Sequence, residues 1–133
     1  SDKLTIDSKN KIYTIKDNVI LKNRNNKISI KADEIIFNQN VNSIKSSGKT
    51  VINIDNNYSI TTSNITYDLN SEKIFSDENT NLKDSDSNNI DVQSFKLNLK
   101  QNLYVANEVV MTDKDFNVFE LKKIYYDFQK KIF

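Results

Sequence analysis

Apolar and polar residues alternate with period two through most of the chain. Leu4 and Ile6 alternate with polar neighbours, as do Ile28, Ile30 and Ala32; after a change of phase the pattern resumes at Ile35 and Phe37. It continues through Val51-Ile52-Asn53-Ile54, Tyr58-Ser59-Ile60, Phe95-Lys96-Leu97 with Leu99, and Leu103 with Val105. Successive side chains of a strand point to opposite faces, so these segments predict strands with one apolar and one polar face. Helical spacing is found in Phe119–Phe133, where Leu121, Ile124, Tyr125 and Phe128 fall at rough i, i+3, i+4 positions. Polar clusters interrupt the pattern at Asp7–Lys11, Asn23–Lys27, Asn38–Ser43, Asp55–Asn57, Asp68–Lys73, Asp84–Asn89, Asn98–Asn102 and Thr112–Asp115. Asn and Asp bond to nearby backbone and tolerate positive φ, which makes turns. Here they stand in for glycine, of which the chain has one, Gly48. About ten or eleven strands joined by short turns are expected, and strands joined so tightly pair antiparallel. The fold class is all-β.

A longer period lies over the short one. An apolar residue followed by Asp or Asn recurs at Ile6-Asp7, Phe37-Asn38, Tyr67-Asp68, Leu97-Asn98 and Tyr126-Asp127, at spacings of 31, 30, 30 and 29. A second apolar residue follows six or seven positions on, at Ile12, Ile44, Ile74, Leu103 and Ile132. A fixed period of this size means stacked supersecondary units, each covering its neighbour's apolar face. Because Tyr126-Asp127 keeps the register, the last segment is read as a strand rather than a helix. The 133 residues are expected to form one domain, 1–133, of about five repeats with two strands each.

Composition removes whole classes of chemistry. The net charge is +1, so no global field recruits nucleic acid or an acidic substrate. There is no Cys and no His, which excludes disulfides, thiolate metal sites, thiol catalysis and imidazole bases. Carboxylate pairs alone can hydrolyse glycosides, but nothing in the pattern supports an enzyme, a cofactor or a metal. Asp84-Ser85-Asp86-Ser87-Asn88 resembles a calcium loop, yet the sixth and twelfth positions hold Asn89 and Phe95 rather than Gly and Glu, so it reads as a polar turn. Asn57-Tyr58-Ser59 and Asn64-Ile65-Thr66 match a glycosylation acceptor on a short motif alone. No run of 18 apolar residues is present to span a bilayer as a helix. The absence of Pro leaves the edge strands near Leu4–Ile6 and Ile124–Phe133 without a visible guard, which favours strand addition there. The last residues stop inside a repeat, which suggests a longer chain.

These residues resemble the OstA-like family of lipopolysaccharide transport proteins. The family phrase, Ala-Asp-x-apolar-x-aromatic-Asp/Asn followed by apolar-x-Ala/Ser-x-Gly-x-Val, is similar to Ala32-Asp33-Glu34-Ile35-Ile36-Phe37-Asn38 and Ile44-Lys45-Ser46-Ser47-Gly48-Lys49-Thr50-Val51. Its second half recurs more weakly at Ile74–Asn79 and Leu103–Val109. The glycine survives at Gly48, with Asp17, Glu78 and Asn107 near that position elsewhere. The resemblance implies a partly open, V-shaped β-jelly roll whose sheets enclose an apolar groove for the acyl chains of lipid A. It implies a periplasmic module that joins other Lpt proteins, or copies of itself head to tail, through edge strands. Within the family it favours the N-terminal periplasmic domain of the outer-membrane translocon over the stand-alone bridge protein.

Candidate groove residues are Phe37, Ile44, Val51, Ile60, Ile65, Tyr67, Ile74, Val92, Phe95, Leu97, Val105, Val109, Val118, Leu121 and Ile124. Each is equally readable as ordinary core, and if all are core the chain is a structural β-repeat, such as a scaffold or adhesin segment. Candidate edge residues are Leu4, Ile6, Ile124 and Tyr126. Lys122-Lys123 and Lys130-Lys131 are cations that suit either lipid phosphates or a solvated strand face.

Overall fold

The computed structural model describes residues 3–22, 27–128 and 130. They form twelve antiparallel strands and no helix: β1 (Lys3–Asp7), β2 (Ile12–Lys22), β3 (Ile28–Asn38), β4 (Ser43–Ile54), β5 (Tyr58–Ser63), β6 (Thr66–Asp68), β7 (Lys73–Ser76), β8 (Thr80–Asp84), β9 (Asn89–Val92), β10 (Ser94–Asn98), β11 (Leu103–Thr112) and β12 (Val118–Asp127). The helical spacing near the C-terminus is thus a strand, β12, as the repeat register requires. Ile132, Lys131 and the cluster residues 23–26 lie outside the described residues.

Five repeated Asp/Asn residues explain why the strands end where they do. Each closes a turn by accepting backbone N–H bonds on its side chain. Asn10 donates to Asp7 (3.1 Å), Asn40 to Asn38 (3.1 Å), Asn70 and Ser71 to Asp68 (3.0 and 3.3 Å), Lys100 and Gln101 to Asn98 (3.0 and 3.1 Å), and Lys130 to Asp127 (2.9 Å). Four positions later the backbone turns left-handed, at Lys11, Asn42, Glu72 and Asn102. The carbonyl of each of these four residues accepts the N–H that follows the next repeat's Asp or Asn: Gln39, Leu69, Leu99 and Phe128 donate at 2.9–3.0 Å. The repeat is therefore a stack of identical turns, each hydrogen-bonded to the next.

The pairing divides the molecule into two arms. One arm is the meander β1-β2-β3-β4-β6-β7-β10-β11-β12, with the repeated turns at its outer end. The other is β2-β3-β4-β5-β8-β9-β11-β12. The long strands β2, β3, β4, β11 and β12 belong to both arms. In the first arm β4 pairs with β6 over Ser43–Lys45, and in the second with β5 over Lys49–Ile54; β11 divides likewise between β10 and β9. Between β4 and β11 the strands close a complete ring, and β1–β3 and β12 extend beyond it. This is a partly open, V-shaped β-jelly roll.

The fold line between the arms is built from left-handed residues and bulges. Asp17 and Asn18 in β2, Gly48 in β4, Asn64 between β5 and β6, and Glu108 in β11 all have positive φ. Bulges in β2, between Lys16 and Val19, and in β4, between Ser47 and Thr50, both stand opposite Asp33 of β3, in the Ala-Asp pair of the family phrase. A bulge inserts an unpaired residue and bends its strand, so a row of them creases the sheet. Gly48 and Asn64 interlock: the Gly48 N–H donates to Asn64 Oδ1 (2.9 Å), and the Asn64 N–H donates to the Gly48 carbonyl (3.2 Å). Buried hydroxyls line the same crease. Ser46 and Thr50 bond at 2.7 Å, Thr62 and Thr80 at 2.8 Å, and Ser76 donates to the Ser63 carbonyl at 2.9 Å. The tips of the second arm use tight Asp/Asn chemistry. Asp55 and Asn56, both left-handed, make a primed turn closed by Asn57 N–H to the Ile54 carbonyl. Asp84–Asn88 and Asp113–Asn117 are two copies of one D-x-D-x-N loop, each held by the first Asp on the backbone and amide of the Asn.

Candidate functional site

Cross-strand register decides which side chains face between the arms. In the first arm Ile6, Tyr13, Phe37, Ile44, Tyr67, Ile74, Leu97, Tyr104 and Tyr126 are successive cross-strand partners on one face, the face on which Ile74, Leu97 and Tyr104 are buried. The second arm answers with Leu21, Ile30, Ile52, Ile60, Leu82, Ile90, Met111 and Phe119. Nearer the crease sit Val19, Ala32, Thr50, Thr62, Thr80, Val92 and Val109. The repeat spacing on the inner face is a uniform seven, from Ile6 to Tyr13, Phe37 to Ile44, Tyr67 to Ile74 and Leu97 to Tyr104. Tyr13 and Tyr104, rather than Ile12 and Leu103, are therefore the inward members.

Within the ring the arms meet and the interior is packed. Ile60, Ile65, Ile74, Val92, Phe95, Leu97, Val109 and Ile124, all candidate groove residues, are buried there. Aromatic rings close the ring's C-terminal half. Phe95 stacks on Tyr104 at 5.5 Å, and Phe128 meets Tyr58, Tyr104 and Tyr126 edge-on at 4.7–6.1 Å. A 2.7 Å hydrogen bond between the Tyr58 and Tyr126 hydroxyls ties one arm to the other. Burial raises the Tyr126 hydroxyl well above the usual phenol range, and its bond to Tyr58 adds to the shift.

Toward the N-terminus the arms part. A cleft of about 200 Å³ opens between them, lined by Leu21, Lys22, Ile28, Ile30, Ile44, Tyr67, Leu69 and Leu99. Burial raises the Tyr67 hydroxyl, and nearby Glu72 adds to it. Beyond the cleft Ile15, Tyr13 and Phe37 continue the apolar inner face half-buried, with the Tyr13 and Phe37 rings stacked at 5.9 Å. At the other end the inner face reappears at Phe119 and Leu121, 48% and 43% exposed.

Ile44, Tyr67, Phe37 and Leu121 thus stand where the inner face is open. Val51, Val105 and Val118 do not line it, because alternation turns them to the outer faces: Val51 beside Lys31 and Thr61, Val105 beside Lys96 and Tyr125, Val118 beside Thr112. For Val51 the reason is that Thr50, not Val51, occupies the last position of the family phrase, and Thr50 is fully buried. For Val105 it is the seven-residue spacing, which puts Tyr104 inward. Leu69 and Leu99 stand in polar clusters and Phe128 in the segment of helical spacing, although each directly follows a repeat Asp or Asn, a signal present in the sequence. Leu21, Ile28, Tyr58, Met111 and Phe119 joined the inner face through register alone.

Both ends of the sheet are unpaired edges among the described residues: β1 pairs with β2 alone and β12 with β11 alone. Leu4 and Ile6 on β1 are 61% and 55% exposed, whereas Ile124 and Tyr126 of β12 turn their side chains into the core and leave the strand's backbone edge open. Two larger depressions lie on the outer face of the second arm, one around Ile20, Lys31, Lys49 and Val51 and one around Thr61, Asn81, Asp91 and Glu108. Among the described residues no group of three His, Cys, Asp or Glu is placed to hold a metal ion.

This creased, end-open jelly roll has a solved counterpart. LptH of Pseudomonas aeruginosa, described as the LptA-homologous periplasmic component of the conserved lipopolysaccharide transport device, superposes with a TM-score of 0.66 over 84% of this chain and 83% of its own, at 20% identity. The fold is that of LptH. No family model matches the sequence, and no curated protein matches it in sequence. The likeness to LptH is carried by the fold, with little of the sequence in common.

Proposed function

We propose that this chain is a periplasmic, non-enzymatic conduit module for lipopolysaccharide, holding acyl chains between its arms and joining other Lpt domains through β1 and β12. The observation that carries this reading is the cleft at the N-terminal end, where Leu21, Ile28, Ile44, Tyr67, Leu69 and Leu99 present apolar surface between arms that are packed shut within the ring. Removing apolar area from water yields roughly 25 cal/mol per Å², so an acyl chain entering it is strongly favoured. The fold shared with LptH supports the transport reading. The module suits either a stand-alone bridge of the LptA kind or the N-terminal domain of an LptD translocon.

The test is photocrosslinking to purified lipopolysaccharide, with a photoreactive residue at Tyr67 or Ile44 and a control at the exposed turn residue Asn70. Crosslinks at the two cleft positions and none at Asn70 are expected. A second reading, a structural β-repeat without lipid, is favoured by the filled centre around Ile60 and Ile74, both fully buried. Absence of crosslinks at every cleft position in a folded sample would establish that second reading.

A further inference from the structure

Among the described residues the Tyr104 hydroxyl is the fully buried side-chain polar atom that has no hydrogen-bond partner. Tyr104 has no exposed surface, and burial pushes its hydroxyl far above the usual phenol range. An unpaired buried hydroxyl is destabilising, and native proteins rarely keep one without use. The surroundings make the oxygen conspicuous. The adjacent rings are Phe95 and Phe128, so a phenylalanine would keep both ring contacts of Tyr104. Other buried hydroxyls nearby are satisfied: Tyr58 and Tyr126 bond to each other, and the Ser and Thr hydroxyls of the crease bond among themselves or to carbonyls.

Position supplies the second observation. Tyr67, Ile74, Leu97 and Tyr104 are consecutive cross-strand partners on the inner face, and Tyr67 lines the cleft. Three strand spacings separate Tyr67 from Tyr104, about 14 Å. A chain that enters the cleft and advances along this row passes Ile74 and Leu97 before it meets the hydroxyl. Away from the crease, where the shared strands β4 and β11 join the arms, the facing side chains are held by packing and by the Tyr58–Tyr126 bond.

We infer that Tyr104 is a ligand-binding residue whose hydroxyl donates a hydrogen bond to an oxygen carried partway along an acyl chain, a hydroxyl or an ester carbonyl. The inference rests on the acyl-chain reading above and adds a specificity to it. An oxygenated chain finds a donor in an otherwise apolar passage, and an unsubstituted chain leaves the donor unpaired.

The test compares two probes, 12-hydroxyoctadecanoic acid and octadecanoic acid, on the wild type and on Tyr104→Phe. The wild type should bind the hydroxylated chain about five- to tenfold more tightly, the ratio expected of one hydrogen bond. Tyr104→Phe should bind both chains alike, with the wild-type affinity for the unsubstituted one, and should melt no lower than the wild type. Tyrosine ¹³Cζ NMR on the unsubstituted protein reads the same contact, with a Tyr104 shift caused by the hydroxylated chain alone. Equal binding of both chains by the wild type overturns this inference and leaves the acyl-chain reading standing. A lower melting temperature for Tyr104→Phe also overturns it, since the hydroxyl then has a use in the fold. Failure to bind either chain overturns both readings.

Discussion

An aspartate or asparagine that ends a strand here performs two tasks, accepting backbone N–H bonds in its own turn and setting the left-handed residue four positions on. Asn98 accepts from Lys100 and Gln101, so Asn98→Ala should cost about 1 kcal/mol in chemical denaturation. Asp7 and Asp68 occupy equivalent places as carboxylates, and Asp113 opens the second D-x-D-x-N loop. The leading cause of the lowered pKa is the Asn10 N–H at Asp7, the Ser71 N–H at Asp68 and the Asn117 side chain at Asp113. A carboxylate whose pKa is lower folded than unfolded stabilises fully above its unfolded value, near 4, and loses that contribution as pH falls through the folded value. The melting temperature should therefore hold down to about pH 4 and drop below it, and Asp68→Asn should flatten the drop. Gly48 marks a different need. A Cβ there would make an ordinary van der Waals contact with Asp33 Oδ2 at 3.6 Å, so only its φ of 78° requires glycine. Gly48→Ala should lower stability by about 1 kcal/mol, and Gly48→Asn by less, because asparagine tolerates that backbone.

At the scale of elements, the turns were legible because the residues that form them act locally: the polar clusters from Asp7 to Asp115 that fall within the described residues coincide with turns. The strand count rose to twelve because β5 passes to β6 through Asn64 and Ile65 alone and β9 to β10 through Gln93 alone, passages too short to read as turns. Phase was the weaker inference. Val51, Val105 and Val118 pass for inward residues until the register of neighbouring strands is known, and that register depends on partners up to 20 residues away, Lys31 for Val51 and Tyr125 for Val105. The division of apolar residues between core and cleft was not legible, since it is set by how far the arms part. A residue such as Ile60, fully buried between them, tests the filled centre. Ile60→Ala should cost about 2–5 kcal/mol. Tyr58→Phe removes the inter-arm bond to Tyr126, should cost about 1 kcal/mol, and should increase hydrogen exchange in β12 more than in β4.

For the whole molecule the two open edges matter most. β1 carries the exposed Leu4 and Ile6, and β12 runs ten residues across both arms and, among the described residues, pairs as a strand with β11 alone. An unpaired edge is a template for another strand, and joining β12 of one copy to β1 of the next continues both the sheet and its inner face. The mass measured by light scattering should rise with concentration, and charged substitution at Leu4 and Ile6 should hold the protein monomeric. A mass that stays monomeric at every concentration would count against edge pairing.

The bonded stack of turns also makes the molecule a ruler. Each repeat hands its left-handed carbonyl to the next across 26 to 28 residues, and each contributes two strands to the first arm, so the inner face lengthens by about 9.6 Å per repeat. Distance along this fold is counted in whole repeats, and a gap of a different width is bridged by gaining or losing one without redesigning the rest.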